Sequence, residues 1–310
     1  SYFGQTIITL SSTDISNELI ASKGTFKTFI HGLYVDGFTE VTIQYTNIEG
    51  YIRATKSINI YPLELTQGPI SINVESMGDS TSQRLFLFSH RAGNGPTVID
   101  HYGDIRYYLD ESAGGGYGLK QTSRGSLIWA LGNTIWEVKL NGEIIWNHQI
   151  PDKYGDGDGG IHHDILYMGE DKFLLTVSNT ELSTSQDIII LYDASTSSVL
   201  KEWDLNDSVP KTDYFIGSDG RAQTFNDWFH VNAIEYKEED NSILVSGQRS
   251  GVVNLSWDNE LIWFLTDKER FQNESLELTN KILFNQYDEI IAWGQHNIRF
   301  DDNNKVYYLF

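Results

Sequence analysis

Cysteine is missing from this chain of 310 residues. Its absence excludes disulfide bonds, zinc sites built from thiolates and a cysteine nucleophile. Positive charge is scarce as well, because 22 Lys and Arg residues stand against 43 Asp and Glu residues and give a net charge of −21. A nucleic acid and an anionic membrane surface are both recognised through clustered Lys and Arg residues. We therefore expect neither of them as a partner.

Long apolar runs are also missing. The longest runs, such as residues 188–192, fall far short of the ~20 residues that a membrane-spanning helix needs, so we expect no membrane insertion. No signal peptide is visible, and the chain begins at Ser1 rather than at Met, which indicates that an upstream segment was removed or left out. The composition is 40% hydrophobic and 13% aromatic, which predicts a globular protein with a sizeable core.

Strand patterns dominate what is present. Short runs rich in β-branched and aromatic residues, bounded by Gly, Asn and Asp, occur at 41–45, 173–177 and 242–245, and such runs are typical of β-strands. One stretch, 267–283, favours a helix because its Leu residues share a face. Since helical patterns are otherwise scarce, we predict an all-β protein.

The chain is predicted to form two domains. Residues 1–75 contain alternating strand patterns with glycines at the turns and are interpreted as a small Ig-like β-sandwich. Small polar residues at 76–82 follow and are typical of a linker. The second predicted domain covers residues 76–310.

A repeat indicates the architecture of the second domain. Each unit opens with a polar start and ends in a strand with an aromatic residue near its end. The openings are Tyr117, His163, His230 and His296, and the last three are 67 and 66 residues apart. Repeated four-stranded units are the blades of a β-propeller. We predict blades near 85–109, 117–150, 163–205 and 230–267, and a fifth that begins at His296. Because the chain ends at Phe310 within this blade, we expect a C-terminally truncated piece of a longer protein.

The recurring histidines are candidate site residues. The starts of inner strands converge on the channel of a propeller, so His163, His230 and His296 can meet there although they are far apart in the sequence. Three interpretations stay open: structural histidines, a zinc site with an open position, and catalysis by imidazole as nucleophile, base or acid. Arg249, which follows the strand 242–246, is placed to supply a cation for an anionic substrate.

Cofactor motifs are not found. The acidic loop 152–160 lacks the bidentate Glu of an EF-hand. Glycines 114–116 are not followed by the Lys-Ser/Thr of a phosphate loop, and no Gly-x-Ser-x-Gly motif marks a serine hydrolase. We predict no cofactor and, in the leading interpretation, no metal.

Several segments resemble bacterial arylsulfate sulfotransferases. The most specific are Asp-Trp-Phe-His-Val-Asn at 227–232 and Gly-Gln-His at 294–296. His-His-Asp-Ile at 162–165 is also similar, and 31–34 with 41–43 resembles the N-terminal sandwich of that family. The resemblance implies a sandwich followed by a six-bladed propeller with the active site in its channel.

The resemblance also implies an activity and residue roles. Such enzymes transfer a sulfuryl group from a phenolic sulfate ester to a phenol acceptor without the nucleotide donor PAPS, and export from the cytoplasm is implied as well. His296 would be the nucleophile that forms a sulfohistidine, with His163, His230 and Arg249 around the transferring group. We assign His163 rather than His162, because His163 directly precedes an aspartate as in the family.

The chemistry of these residue types suits the implied reaction. Neutral imidazole is a good nucleophile near pH 7 and departs readily from sulfur, which favours a two-step, ping-pong exchange. Arg and protonated His stabilise charge on the sulfuryl oxygens and on the leaving phenolate. Two alternatives stay open: a non-enzymatic sandwich-plus-propeller surface protein that binds a ligand, and a hydrolase that holds a metal on the same histidines. The oligomeric state also stays open, with a homo-oligomer as one alternative.

Overall fold

The fold is described for most of the chain by a computed structural model. The described residues are 2–3, 6–10, 26–30, 38–46, 49, 51–61, 85–90, 94–109, 116–154, 160–179, 181–182, 184–209, 228–266, 278, 280–283, 295–301, 303 and 306–309. Two compact units divide the chain, one formed by residues 1–116 with 138–144 and the other by 117–137 with 145–310.

The described residues of the first unit form three antiparallel sheets. Its strands are β1 (Tyr2–Phe3), β2 (Thr6–Leu10), β3 (Phe26–Ile30), β4 (Thr39–Thr46), β5 (Ile52–Ile60), β6 (Leu85–His90), β7 (Asn94–Asp100) and β8 (Ile105–Leu109). Strands β2 and β3 form one pair, β4 and β5 form another, and the order in the remaining sheet is β1-β8-β7-β6. The sandwich predicted for 1–75 stays a prediction, and the predicted boundary and linker lie outside the described residues.

The second unit contains the repeated sheets. Its strands are β9 (Tyr117–Gln121), β10 (Leu127–Leu131), β11 (Thr134–Val138), β12 (Ile144–Gln149), β13 (Ile161–Gly169), β14 (Lys172–Asn179), β15 (Thr184–Asp193), β16 (Ser198–Asp204), β17 (Val231–Lys237), β18 (Ser242–Gly247), β19 (Gly251–Ser256), β20 (Leu261–Leu265), β21 (Ile282–Leu283), β22 (Ile298–Asp301) and β23 (Val306–Leu309). A 3₁₀ turn at Asp152–Tyr154 follows β12, and the short helix α1 (Leu205–Ser208) follows β16.

The order of these strands confirms the predicted all-β class. The sheets are β12-β11-β10-β9, β13-β14-β15-β16, β17-β18-β19-β20-β21 and the pair β22-β23, and their ranges agree with the predicted blades. Strand β13 packs against both β9 and β17, and β17 packs against β22, so the first strands of successive sheets are neighbours. The helix predicted at 267–283 lies largely outside the described residues, and its last two residues form strand β21.

The middle strands of the sheets form the core. Strand β14 is buried at successive positions from Phe173 to Val177, and β15 is buried from Ile188 to Ile190. A short strand that is apolar on both faces is typical of an element covered from both sides. On the last strand of the same sheet, the indole of Trp203 is fully buried and donates to the carbonyl oxygen of Trp257 at 3.0 Å. Successive sheets therefore share one apolar layer.

Carboxylates join the first strands of successive sheets. Asp164 on β13 accepts from the ammonium of Lys120 on β9 at 2.5 Å and from the backbone N–H of Ile234 on β17 at 3.0 Å. Glu235 on β17 accepts from the backbone N–H of Phe300 on β22 at 2.9 Å. Hydrogen bonds to ionised acceptors are stronger than neutral ones. Part of the acidic excess of the chain thus holds neighbouring inner strands in register.

Gly251 is the glycine for which we expect the largest loss of stability on substitution. Its φ is +119°, and an added Cβ would lie 2.2 Å from the carbonyl oxygen of Leu265. Because both the backbone angle and the neighbouring strand oppose a side chain, Gly251→Ala is expected to lower the free energy of unfolding by about 2–4 kcal/mol in urea titrations. Gly132→Ala is the control, since Gly132 also has a positive φ, +60°, but an added Cβ there would meet no atom within 4 Å. Equal losses in both variants would contradict the steric explanation.

Candidate active site

The three histidines lie near the starts of neighbouring inner strands. His230 directly precedes β17, and His296 stands two residues before β22. The prediction that His163 opens its strand is wrong in detail, because β13 begins at Ile161. The register of β13 against β14 shifts between Ile161 and Ile165, and this irregularity contains His163. The bulge turns the backbone where a regular strand would continue.

His163 and His230 form a pair. Their ring centroids are 5.0 Å apart with an interplanar angle of 69°. Both residues have a positive φ, 51° for His163 and 58° for His230, which is uncommon for residues other than Gly, although Asn, Asp and His adopt it more often than most. Strained backbone of this kind persists only where surrounding contacts hold it, and it is frequent at active sites. The same unusual conformation at equivalent places in two sheets brings the imidazoles together.

A buried carboxylate holds the backbone at His230. Asp187 on β15 is fully buried, and its Oδ1 atom accepts from the backbone N–H groups of Phe229 at 3.1 Å and of His230 at 3.0 Å. These donors would otherwise be costly to bury. Asp187 therefore fixes the chain at the point where it enters β17.

The 248–250 loop lies beside the same segment. It joins β18 to β19, and its residues bind the three residues that precede β17. The backbone N–H of Gln248 donates to the carbonyl oxygen of His230 at 2.9 Å, and that of Arg249 donates to the carbonyl oxygen of Phe229 at 3.3 Å. The hydroxyl of Ser250 donates to the carbonyl oxygen of Trp228 at 2.9 Å. Every residue of the loop is thus tied to the His230 segment, which places Arg249 next to it.

His296 is joined to the same loop. The side-chain amide of Gln295 donates to the backbone carbonyl oxygen of Gly247 at 2.7 Å. The backbone carbonyl oxygen of Gln295 accepts from the side-chain amide of Asn232 at 3.0 Å. The imidazole of His296 is exposed, and its Nε2 atom lies 3.5 Å from Nε2 of Gln248. Gln248 therefore contacts His230 through its backbone and His296 through its side chain.

Two residues near His163 were not assigned to the site from the sequence. Tyr117, at the start of β9, has its ring 5.5 Å from that of His163. Its position in the repeat, equivalent to that of the three histidines, was the signal that could have identified it. His162 is 1% exposed, and its Nδ1 atom is 3.0 Å from Nδ1 of His163. Burial, and secondarily the neighbouring His163, lower the pKa of His162 well below its usual range.

The arrangement suits an anionic substrate. The rings of His163 and His230 lie side by side, and the backbone of Arg249 is hydrogen-bonded to Phe229 next to them, in a chain whose net charge is −21. A cationic side chain at such a place counters that field locally. Within the described ranges, no group of three or more His, Asp or Glu side chains is arranged to hold a metal ion. No helix in the part of the chain that the structure describes is long and apolar enough to cross a bilayer.

The sequence matches a known family. Residues 71–310 match the family model described as Arylsulfotransferase (ASST). The arylsulfate sulfotransferase AssT of Escherichia coli O6:H1 (strain CFT073) is 24% identical over 236 residues, and AssT of Lelliottia amnigena is 23% identical over 236 residues. Each alignment covers 60% of this chain and 38% of the relative, so the chain spans well under half the length of these curated relatives.

Solved structures are more distant. A β-propeller domain of Cps50 (Swd1) from Myceliophteria thermophila is 13% identical, with 77% of this chain and 64% of that chain covered and a TM-score of 0.40. A protein of unknown function from Bacteroides caccae is also 13% identical, with 78% and 93% covered and a TM-score of 0.32. Neither TM-score reaches 0.5, so the fold is defined by the sheets of this chain.

Proposed function

The chain belongs to the arylsulfotransferase family, and we propose that it transfers a sulfuryl group from a phenolic sulfate ester to a phenol without PAPS. The observation that carries the proposal is the match over residues 71–310, a range that contains His163, His230, Arg249 and His296. The contacts of the 248–250 loop with His230 and His296 support it, because they bring three of these residues to one place.

His296 is proposed as the nucleophile. A lone pair on its imidazole attacks sulfur, an N–S bond forms, and the S–O bond to the donor breaks with its electron pair on the departing phenolate. In the second half, the oxygen of the acceptor phenol attacks sulfur and the N–S bond breaks. The exposure of His296 supports this role.

The other residues are proposed to handle charge and protons. Arg249 donates to the sulfuryl oxygens and stabilises their negative charge as a preorganised cation. A protonated imidazole of the His163–His230 pair gives its proton to the leaving phenolate, and the same imidazole then takes the proton of the acceptor phenol. The proton count closes over one cycle, since the proton delivered in the first half is recovered in the second.

The location and partners follow from the same proposal. We propose an extracytoplasmic location, because the resemblance to bacterial arylsulfate sulfotransferases implies export. The partners are then a phenolic sulfate donor and a phenol acceptor.

A transfer assay tests the proposal. The protein, expressed at the full length that its gene encodes, is incubated with 4-nitrophenyl sulfate as donor and phenol as acceptor. We expect nitrophenolate release that depends on phenol, yields phenyl sulfate, shows parallel double-reciprocal plots as phenol is varied, and survives EDTA. Mass spectrometry of protein quenched without acceptor is expected to find one SO₃ group on the peptide that contains His296.

Other outcomes of this assay identify the alternatives. Release that does not depend on phenol and is lost in EDTA would identify a metal-dependent hydrolase instead. A folded protein that gives no release but binds a phenolic sulfate would support the binding-protein interpretation.

A further inference from the structure

We propose that His162 is a positioning residue, a buried hydrogen-bond acceptor for Nδ1 of His163 that directs the Nε2 atom of His163 toward the substrate. This inference rests on the proposed function, and it assigns a role to the histidine that the sequence interpretation set aside. The contact that carries it is the 3.0 Å distance between the two Nδ1 atoms. The rings are nearly perpendicular, at 77°, as expected where two imidazoles meet through their edges.

The backbone around His162 is held from the neighbouring strand. The hydroxyl of Thr176 on β14 donates to the carbonyl oxygen of His162 and accepts from the backbone N–H of Asp164 at 3.2 Å. Thr176 itself is fully buried. The bulge of β13 therefore has little freedom, and the buried ring of His162 gives His163 a fixed partner.

A proton count determines the direction of the hydrogen bond. Two Nδ1 atoms at this distance share a single proton, so one ring donates and the other accepts. His163 carries protons on both nitrogens whenever it is an imidazolium, and only an accepting His162 is compatible with that state. Burial lowers the pKa of His162 well below its usual range, so this ring stays neutral and keeps its lone pair.

The opposite side of His162 does not alter this conclusion. Its Nε2 atom is buried without a hydrogen bond of ordinary geometry among the described residues. Burial lowers the pKa of His162, and the backbone of Val177 opposes that larger effect in part. Neither observation fixes which nitrogen of His162 carries the proton, so the direction follows from the contact at Nδ1. Of the His163–His230 pair we assign the proton exchange to His163, because its Nδ1 atom has a buried partner at 3.0 Å. With that assignment, the contact at Nδ1 favours His162 as the acceptor.

Further groups near His163 in the described part of the chain come from neighbouring sheets. Tyr117 at the start of β9 and His230 ahead of β17 have their rings 5.5 Å and 5.0 Å away. Lys120 and Asp164 pair with each other at 2.5 Å, so their charges largely cancel. A charge on His230 would oppose one on His163. The neutral acceptor at Nδ1 then favours the imidazolium of His163 without adding a negative charge beside an anionic substrate.

Two substitutions of His162 test the proposal by kinetics. His162→Leu fills a similar volume without an acceptor, whereas His162→Asn places an amide oxygen near the position of Nδ1. We expect His162→Leu to lower kcat by about 10- to 100-fold, the range for loss of the partner that orients a histidine, with KM within about twofold. The limb of the kcat–pH profile that belongs to His163 should move to lower pH, because the imidazolium loses its acceptor. His162→Asn should restore most of kcat and the position of that limb.

The possible outcomes separate this inference from the proposed function. If the wild-type protein transfers sulfate but His162→Leu matches it in kcat and pH profile, the positioning role is wrong. It is equally wrong if both variants lose the same activity with no change in the profile, as for a purely structural residue. If the wild-type protein transfers no sulfate, the proposed function itself fails.

A spectroscopic measurement decides the matter if a variant does not fold. Long-range ¹H–¹⁵N spectra of the wild-type protein labelled at histidine nitrogens report which nitrogen of each neutral ring carries the proton. We expect neutral His163 to be protonated at Nδ1 and unprotonated at Nε2. Protonation of neutral His163 at Nε2 would overturn the proposal, because His162 would then be the donor.

Discussion

His296→Ala is expected to abolish aryl sulfate transfer, with kcat at least about 10,000-fold below wild type, as for the loss of a covalent nucleophile. Without the imidazole no N–S bond can form, and phenol would have to displace the donor directly within the site. The release of nitrophenolate from 4-nitrophenyl sulfate measures the loss. The same variant should carry no SO₃ group after a quench without acceptor.

The side chain of His296 is exposed, so its removal should leave the fold intact. We expect the free energy of unfolding to change by no more than about 0.5 kcal/mol, the usual range for surface positions. His148→Ala is the matched control, because His148 lies on β12 and contacts Ser197 and Trp146 rather than the site. Transfer that persists in His296→Ala at more than about a tenth of the wild-type rate cannot be reconciled with a nucleophilic His296.

Asp187→Ala is expected to damage both stability and activity. The substitution leaves the backbone N–H groups of Phe229 and His230 buried without the acceptor that they have at 3.1 and 3.0 Å. Each such donor costs about 1–3 kcal/mol, so we expect a loss of about 2–6 kcal/mol in the free energy of unfolding. In the fraction that stays folded, kcat should fall by about 100-fold, because the positive φ of His230 is no longer held and a displacement of about 1 Å is costly.

Asp187→Asn separates the two roles of this carboxylate. The amide keeps an oxygen that can accept both N–H groups but has no charge. We expect it to recover more than half of the stability that Asp187→Ala loses, as measured by urea titration. If Asp187→Asn is as unstable as Asp187→Ala, the negative charge matters more than the hydrogen bonds to Phe229 and His230.

Much of the sheet arrangement could be predicted from the sequence because strands repeat visibly. The aromatic ends of the last strands and the spacings of 67 and 66 residues between the histidines correspond to the observed sheets β13–β16 and β17–β20. Both signals can be read directly from the sequence without knowledge of tertiary contacts. Strand β21, by contrast, joins its sheet in parallel to β20, and a Leu-rich pattern there favoured a helix. Among the described residues of that stretch, Leu278 is helical and 280–281 form a turn before the strand, so the pairing with β20 determines only the end of the segment.

The assembly of the site was less accessible to sequence reasoning. Asp187 supports His230 from 43 residues away, and no spacing rule connects a buried carboxylate on one sheet to a turn in the next. The positive φ of His163 results from a bulge, which shifts the register without any glycine to mark it. Tyr117 was visible in the repeat but was not recognised as part of the site, because its residue type differs from that of the three histidines.

The two ends of the sheet formed by β17–β20 set different rules for protein engineering. At one end, each residue of the 248–250 loop is seated on the segment before β17. An inserted residue there would break the hydrogen bond of Arg249 to Phe229. It would also break the contacts of Gln248 with His230 and with His296. At the other end, the turn at 238–241 is exposed. A fluorophore, an affinity tag or a fused domain therefore belongs at that outer turn, where it does not disturb the contacts of the 248–250 loop.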